Sequence, residues 1–245
     1  MPDRCRLLCI SLISLVALPI FAQQSCAAAA DEPHHKLLVQ GSGVRIFMVE
    51  LNRLETTDRY CSDHPFLRVA VSAGEASNLQ ENAPPVSHTW RAGEALFVSQ
   101  PENHVLRNDR GDPFTELEIE DLSSQSARHT PQECDYNGGE GVRPCYEPRG
   151  FPVDPGDVGT WTVSFHRRGL TVYKSRLSPG DSITMGDGSH LLLALTPAKL
   201  KLKIENGDDA GADLQPQQSI VLPAGAKRTI TNTGRDAAKL ISVEF

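Results

Sequence analysis

From about residue 36 onward, apolar and polar positions alternate in short runs, and no stretch sustains a 3.6-residue period. "KLKLKIE" at 199–205 sets Lys199, Lys201 and Lys203 against Leu200, Leu202 and Ile204, a period of two with one wet and one buried face. "TELEIE" at 115–120 does the same with Leu117 and Ile119, which places its glutamates on the wet face. Turn signals separate these runs: "SAGE", "RAGE", "NDRGDP", "SPGD", "ENGDD" and "PAGA". Short strands between such turns predict an all-β sandwich or barrel.

The pattern occurs twice. At a single offset of 124, "FLRVAV" at 66–71 falls on "HLLLAL" at 190–195, "FVSQPENHVLRN" at 97–108 on "VLPAGAKRTITN" at 221–232, and "LEIE" at 117–120 on "ISVE" at 241–244. Upstream, "VRIFMVEL" at 44–51 lies over "RGLTVYKS" at 168–175. One ungapped offset joining all four segments predicts a tandem duplication. The units are 36–122 and 158–245; residues 123–157, rich in Gly, Pro and polar residues, form a linker between them.

The segment ahead of the first unit changes the picture of compartment. Two arginines in "MPDRCR" precede the apolar run "LLCISLISLVALPIFA" and then small residues, so residues 1–30 read as a secretory signal peptide. Cleavage is expected after Ala22 or within Ala27–Ala30. The run is short for a membrane span. A lipid anchor on Cys26 is disfavoured because Gln23 stands where a lipobox carries an aliphatic residue. The expectation is a periplasmic or secreted protein with no membrane span after cleavage. With 31 acidic against 24 basic residues, no basic face advertises itself to nucleic acid.

An oxidising compartment bears on the cysteines. Cys134 and Cys145 bracket "CDYNGGEGVRPC" in the linker and are expected to form a disulfide. Cys61 has three readings: a small residue at a strand edge, which is favoured, a disulfide partner of Cys26 if cleavage is early, or a nucleophile lacking an evident base.

The second half of each unit, "AGEALFVSQPENHVLRNDRGDPFTELEIE" and "PQQSIVLPAGAKRTITNTGRDAAKLISVE", resembles the cupin superfamily: a turn, a His, an Asn four residues later, then a closing strand. The first unit keeps His104 and Asn108; the second keeps Pro223, Gly225 and Asn232 but has Arg228 in place of the His. The resemblance implies two tandem cupin barrels (double-stranded β-helix, or jelly roll), a bicupin, with a monomer of internal pseudo-twofold symmetry as the expected state. In metal-binding cupins a His-x-His pair and a Glu join a later His, because alternate residues of a strand reach one ion. The positions implied for the pair are Tyr60 and Ser62 in the first unit and Thr184 and Gly186 in the second, and no Glu follows Ser62 within six residues.

His64 and His104 are the weak candidates for a metal in the first unit, and two imidazoles without a carboxylate bind transition metals poorly. His34 and His35 sit in a polar lead and read as solvated. Arg228, if it points inward, needs a carboxylate or an anionic ligand; the favoured reading is that it snorkels out of the barrel mouth. The candidate lumen positions are therefore Tyr60, Ser62, His64, His104, Thr184 and Arg228. The function expected is a non-catalytic, metal-free module that binds a small-molecule or anionic ligand, or serves as scaffold. The alternative is a dioxygenase- or isomerase-like enzyme holding one transition metal ion at His104.

Overall fold

The computed structural model describes residues 26–41, 43–79, 84–98, 102–122, 160–167 and 169–245, with the side chains of 102 and 160–167 left aside. The alternating runs are strands. The first unit contains β1 (Ala27–Ala28), a 3-10 turn (Ala29–Asp31), β2 (His35–Gln40), β3 (Val44–Leu51), β4 (Tyr60–Ser62), β5 (Phe66–Ala70), β6 (Gly74–Leu79), β7 (Val86–Trp90), β8 (Ala95–Val98), β9 (Glu102–Asn108) and β10 (Phe114–Asp121). The second contains β11 (Thr160–Arg167), β12 (Leu170–Leu177), β13 (Ser182–Met185), β14 (His190–Ala194), β15 (Ala198–Ile204), β16 (Ala210–Leu214), β17 (Ser219–Leu222), β18 (Arg228–Asn232) and β19 (Ala238–Glu244). Among the described residues there is no α-helix.

Each unit is a jelly-roll barrel made of two sheets. In the first, β1-β4-β9-β6-β7 faces β2-β3-β10-β5-β8; in the second, β13-β18-β15-β16 faces β11-β12-β19-β14-β17. The sheets β2-β3-β10-β5-β8 and β11-β12-β19-β14-β17 also pack against each other. Ile46, Met48, Leu67, Val69, Leu117 and Ile119 of the first barrel meet Val172, Leu191, Leu193, Ile241 and Val243 of the second in one apolar cluster. Each such side chain, fully buried, contributes about 1.5–3 kcal/mol, so the contact between barrels is a true core.

That packing reverses the expectation for "TELEIE". Leu117 and Ile119 face the second barrel, and the other face of β10 turns into the lumen of the first, so Glu116, Glu118 and Glu120 are buried, each at most 1% exposed. In a barrel with a partner, both faces of such a strand are inside. "KLKLKIE" follows the simple rule instead: Leu200 and Leu202 are buried and Lys199, Lys201 and Lys203 exposed, because no barrel covers its outer face.

The repeat is real in register, but not ungapped. β5 to β10 correspond to β14 to β19 at the offset of 124: Ala70 lies opposite Glu116 as Ala194 lies opposite Leu240. Leu51 lies opposite Phe114, whereas Leu177 lies opposite Ala238, so β3 matches β12 displaced by two further residues. The true counterpart of 44–51 is 170–177. Tyr60 pairs with His104 and Met185 with Arg228, so the counterpart of Tyr60 is Met185, one residue beyond Thr184. Loop length differs between the units ahead of β5 and β14, where sequence identity is too thin to reveal it.

Asn108 and Asn232 do equivalent work. Asn108 Nδ2 donates to the carbonyls of Asn52 (2.9 Å) and Asp112 (2.7 Å), and its Oδ1 accepts from the Arg110 N–H (3.0 Å). Asn232 Nδ2 donates to the carbonyls of Leu177 (2.9 Å) and Asp236 (2.8 Å), and its Oδ1 accepts from the Gly234 N–H (2.9 Å). Both are fully buried. Each ties the turn before the closing strand to the end of β3 or β12, which satisfies carbonyls that would otherwise be buried unpaired.

The chain's first described residues belong to the first barrel. β1 runs parallel to β4, and Cys26 is bonded to Cys61. The favoured reading of Cys61 as a small strand-edge residue is thereby corrected: β1 brings Cys26 alongside it, a pairing no local pattern signals. Ala29 is buried with Phe47, Val49 and Tyr60. Cys134 and Cys145 lie outside the described residues.

Candidate functional site

The lumen of the first barrel holds charge. β10 directs Glu116, Glu118 and Glu120 inward, and strands on either side supply their partners. Arg68 on β5 grips Glu116 bidentately, with Nη2 donating to Oε2 at 2.8 Å and Nε to Oε1 at 3.0 Å, while its guanidinium stacks over Trp90 at 5.0 Å. Burial pushes Glu116 above its ordinary pKa despite Arg68. Glu120 accepts from Ser62 Oγ at 3.0 Å and from Arg45 Nε.

Glu118 is the centre of the lumen. His35 Nε2 stands 2.7 Å from Glu118 Oε2, and His35 Nδ1 stands 2.5 Å from Glu32 Oε2. An imidazole with a carboxylate oxygen on each nitrogen donates from both, which makes it an imidazolium. Burial pulls the His35 pKa down, but Glu118 and then Glu32 outweigh it and the value is raised. Burial pushes Glu118 up, and the hydrogen bonds from His104 and His35 overcome this and hold it far below the ordinary carboxylate range. The Tyr60 hydroxyl donates to Glu118 Oε1 at 3.3 Å, and His104 Nε2 lies 3.4 Å from the same oxygen. Burial and the charges of Glu118 and Glu116 push the Tyr60 phenol well up, so it stays a donor.

His104 is enclosed by rings. Tyr60 meets it edge-on at 4.2 Å between centroids and Phe66 stacks on it at 5.3 Å. Ser62 is buried with its hydroxyl directed to Glu120, and its Oγ lies 2.8 Å from the His64 carbonyl. His64 sits half-buried in the bend after β4. The sequence pattern missed His35, Glu32 and Glu118. His35 is not a solvated tail residue: β2 pairs with β3 and carries its side chain into the lumen, fully buried. The available signal was the three glutamates alternating with leucine and isoleucine in a chain whose two units pack together.

The metal ion that the cupin resemblance implies does not fit these residues. Both nitrogens of His35 carry protons toward carboxylates, so neither lone pair is available for ligation. Glu118 is shared among His35, Tyr60 and His104, and Tyr60 and Ser62 stand where the resemblance implies a histidine pair. Among the described residues, no group of three or more His, Cys, Asp or Glu is arranged to hold an ion.

The second barrel differs at the same level. Its lumen is aliphatic at one end, with Leu177, Ile183, Leu192, Ile230 and Leu240 in one cluster. The other end is polar: Tyr173, His190, Arg228, Ser242 and Glu244. Thr184 is not among them; it is exposed on the outer face of β13, and Met185 and Ile183 point inward instead. Arg228 does not snorkel: it is buried at 5% exposure, and its Nη2 donates to the Pro223 carbonyl. Burial and the nearby Arg228 charge hold His190 below its ordinary pKa, against the pull of Glu244 and the Gly186 carbonyl.

Two facts define the class: paired jelly-roll barrels, and a closing strand whose inner face lines each lumen. This is the cupin fold, present twice in one chain. Three solved structures share it over most of their length. A cupin 2 conserved barrel domain protein from Leptotrichia buccalis is 15% identical, with 88% of this chain and 89% of that chain covered at a TM-score of 0.50. Salicylate 1,2-dioxygenase from Pseudaminobacter salicylatoxidans is 16% identical, with 86% and 75% covered and a TM-score of 0.56. AerE from Microcystis aeruginosa is 13% identical, with 87% and 97% covered and a TM-score of 0.53. No protein-family model and no curated protein matches the sequence.

Proposed function

We propose that this chain is an exported, metal-independent two-barrel module in which the first barrel is a scaffold and the second binds a small molecule, without catalysis. The observation that carries this is the closed network around Glu118. His104 is walled by Tyr60 and Phe66, and the carboxylate it faces is already held by the imidazolium of His35. A lumen filled by its own ion pairs leaves a substrate no ligand to displace and no ion to bind. The likeness to salicylate 1,2-dioxygenase extends to the fold and brings no activity with it.

Export is supported by the Cys26–Cys61 bond, which needs an oxidising compartment to persist, and by the basic and apolar run that precedes it. Cleavage within Ala27–Ala30 would discard Cys26 and β1, so processing after Ala22 is the reading consistent with the fold. A lipid on the Cys26 sulfur would exclude the same bond. Among the described residues, no helix is long and apolar enough to cross a membrane.

Metal analysis of the purified mature protein tests the proposal. The expected result is a substoichiometric content of Fe, Mn, Ni, Cu and Zn, unchanged in a His104→Ala variant. Near-stoichiometric metal that disappears with His104 would overturn it.

A further inference from the structure

The polar end of the second lumen contains buried hydrogen-bonding groups that no described residue satisfies. Among the described residues, Arg228 Nη1 and Ser242 Oγ are buried with no hydrogen-bond partner, and neither ring nitrogen of His190 makes a well-formed one. His190 is 1%, Ser242 2% and Arg228 5% exposed. Unmet donors of this kind cost folding free energy, a guanidinium most of all, so three in one place call for a reason.

The register shows that they share a lumen. His190 lies opposite Glu244, and Ser242 lies opposite Leu192, on the inward face of the β14–β19 pair. Arg228 stands on β18 beside Met185, at the position that His104 occupies in the first barrel. Its charge is felt at His190. Ser242 corresponds to Glu118 and His190 to Phe66, so the second barrel has exchanged the carboxylate at the centre of the first for a hydroxyl, and the histidine beside it for an arginine.

Glu244 is the negative group on this face, and it is held elsewhere. Its Oε2 accepts from the Tyr173 hydroxyl at 2.9 Å, and its Oε1 packs over Gly186 and Gly188, where a Cβ would come within 3.0 and 3.1 Å. A side chain larger than glycine at either position would push the carboxylate inward. With Glu244 retained there, the lumen beside Arg228 carries one positive charge, a hydroxyl and an imidazole, next to the aliphatic cluster.

We propose that the second barrel binds a small organic monocarboxylate, its two oxygens received by Arg228 Nη1 and Ser242 Oγ with His190 alongside. This rests on the reading of the second barrel as the binding unit and names its ligand class. A planar carboxylate offers the acceptors these donors lack. A single negative charge suits the site better than a phosphate dianion, because Glu244 on the same face repels a second charge. The aliphatic cluster of Leu192, Ile230 and Leu240 favours an acid with an apolar body. The charged groups that act on His190 are Glu244, opposite it on β19, and Arg228 on β18. An arriving carboxylate adds negative charge beside them, so binding takes up a proton at His190 and tightens as pH falls.

The test uses the full mature chain, with benzoate and butyrate as probes and benzamide and inorganic phosphate as comparisons, read by titration calorimetry and thermal shift. Benzoate or butyrate is expected to bind and stabilise, benzamide and phosphate to do so at least tenfold more weakly. Arg228→Met is expected to weaken binding roughly ten- to a hundredfold and Ser242→Ala by a few- to tenfold, from the usual worth of hydrogen bonds to charged groups. Exposed Arg235→Met controls for the loss of a positive charge and leaves binding unchanged. Circular dichroism verifies folding, and Ser242→Ala, a small truncation, keeps the test open should Arg228→Met misfold. Binding equal in both variants and wild type overturns the proposal, as does the absence of carboxylate binding at millimolar concentration. Either result leaves the metal-independent reading standing, whereas stoichiometric metal at His104 would sink that reading without touching the second barrel.

Discussion

Replacing His35 with glutamine removes the charge at the centre of the first lumen and keeps a side chain that fits on β2. Its nitrogens lie 2.5 Å from Glu32 and 2.7 Å from Glu118, and the three side chains are at most 1% exposed. Removing one partner from a buried ion pair costs about 3–5 kcal/mol, because the charge left behind keeps its desolvation penalty and loses its compensation. Here Glu118 retains His104 and Tyr60, and Glu32 retains His34 at 2.7 Å. The expected loss is therefore at the lower end, about 3 kcal/mol near pH 6.

The pH dependence sharpens this. Glu118 is held below its ordinary value of 4.5, so its stabilising contribution is complete above that value and is lost as pH falls through the depressed one. His35 is raised above 6.5, so its contribution is complete below 6.5 and is lost as pH rises through the raised value. The wild type is expected to be most stable between about pH 5 and pH 6.5. On the alkaline side the gap between wild type and His35→Gln should close, since wild-type His35 then gives up the charge that the variant never had. Urea unfolding followed by tryptophan fluorescence across this range measures the gap. A difference below about 1 kcal/mol near pH 6 would refute the imidazolium assignment.

Other outcomes follow from the same geometry. Reducing or substituting the Cys26–Cys61 bond, whose cysteines are 35 residues apart, should lower stability by about 4 kcal/mol in the chain-entropy picture, read by unfolding with and without reductant. Non-reduced peptide mass should show this linkage, and intact mass of the exported chain should place its first residue at Gln23. Asn108→Ala and Asn232→Ala should each cost about 1–3 kcal/mol by leaving buried carbonyls unpaired, with similar values in both barrels. Leu193→Ala should cost about 2–5 kcal/mol, because Leu193 is fully buried in the cluster that joins the barrels; a smaller loss in calorimetric unfolding would mean that the barrels are not one core.

Much of this protein was readable before any coordinates. Periods of two, turn clusters and a near-constant offset determined the strand content, the sandwich-or-barrel class and the duplication, because these are set by local backbone preference and by which positions must avoid water; the jelly roll came from the cupin resemblance. The correspondence of Asn108 with Asn232 was legible from the offset between the units, whereas the reading of Tyr60 and Ser62 as histidine positions came from the cupin resemblance. What only the tertiary structure decided depends on which surfaces meet. The glutamates of β10 looked solvated because their alternation with Leu117 and Ile119 is that of any half-exposed strand, and it takes the second barrel to cover the apolar face and turn the carboxylates into a lumen. His35 became an imidazolium only when β2 carried it between Glu32 and Glu118, and Thr184 moved outside only through the register of β13 on β18. Alternation names two faces of a strand; what packs on each one is settled by residues far away in the chain.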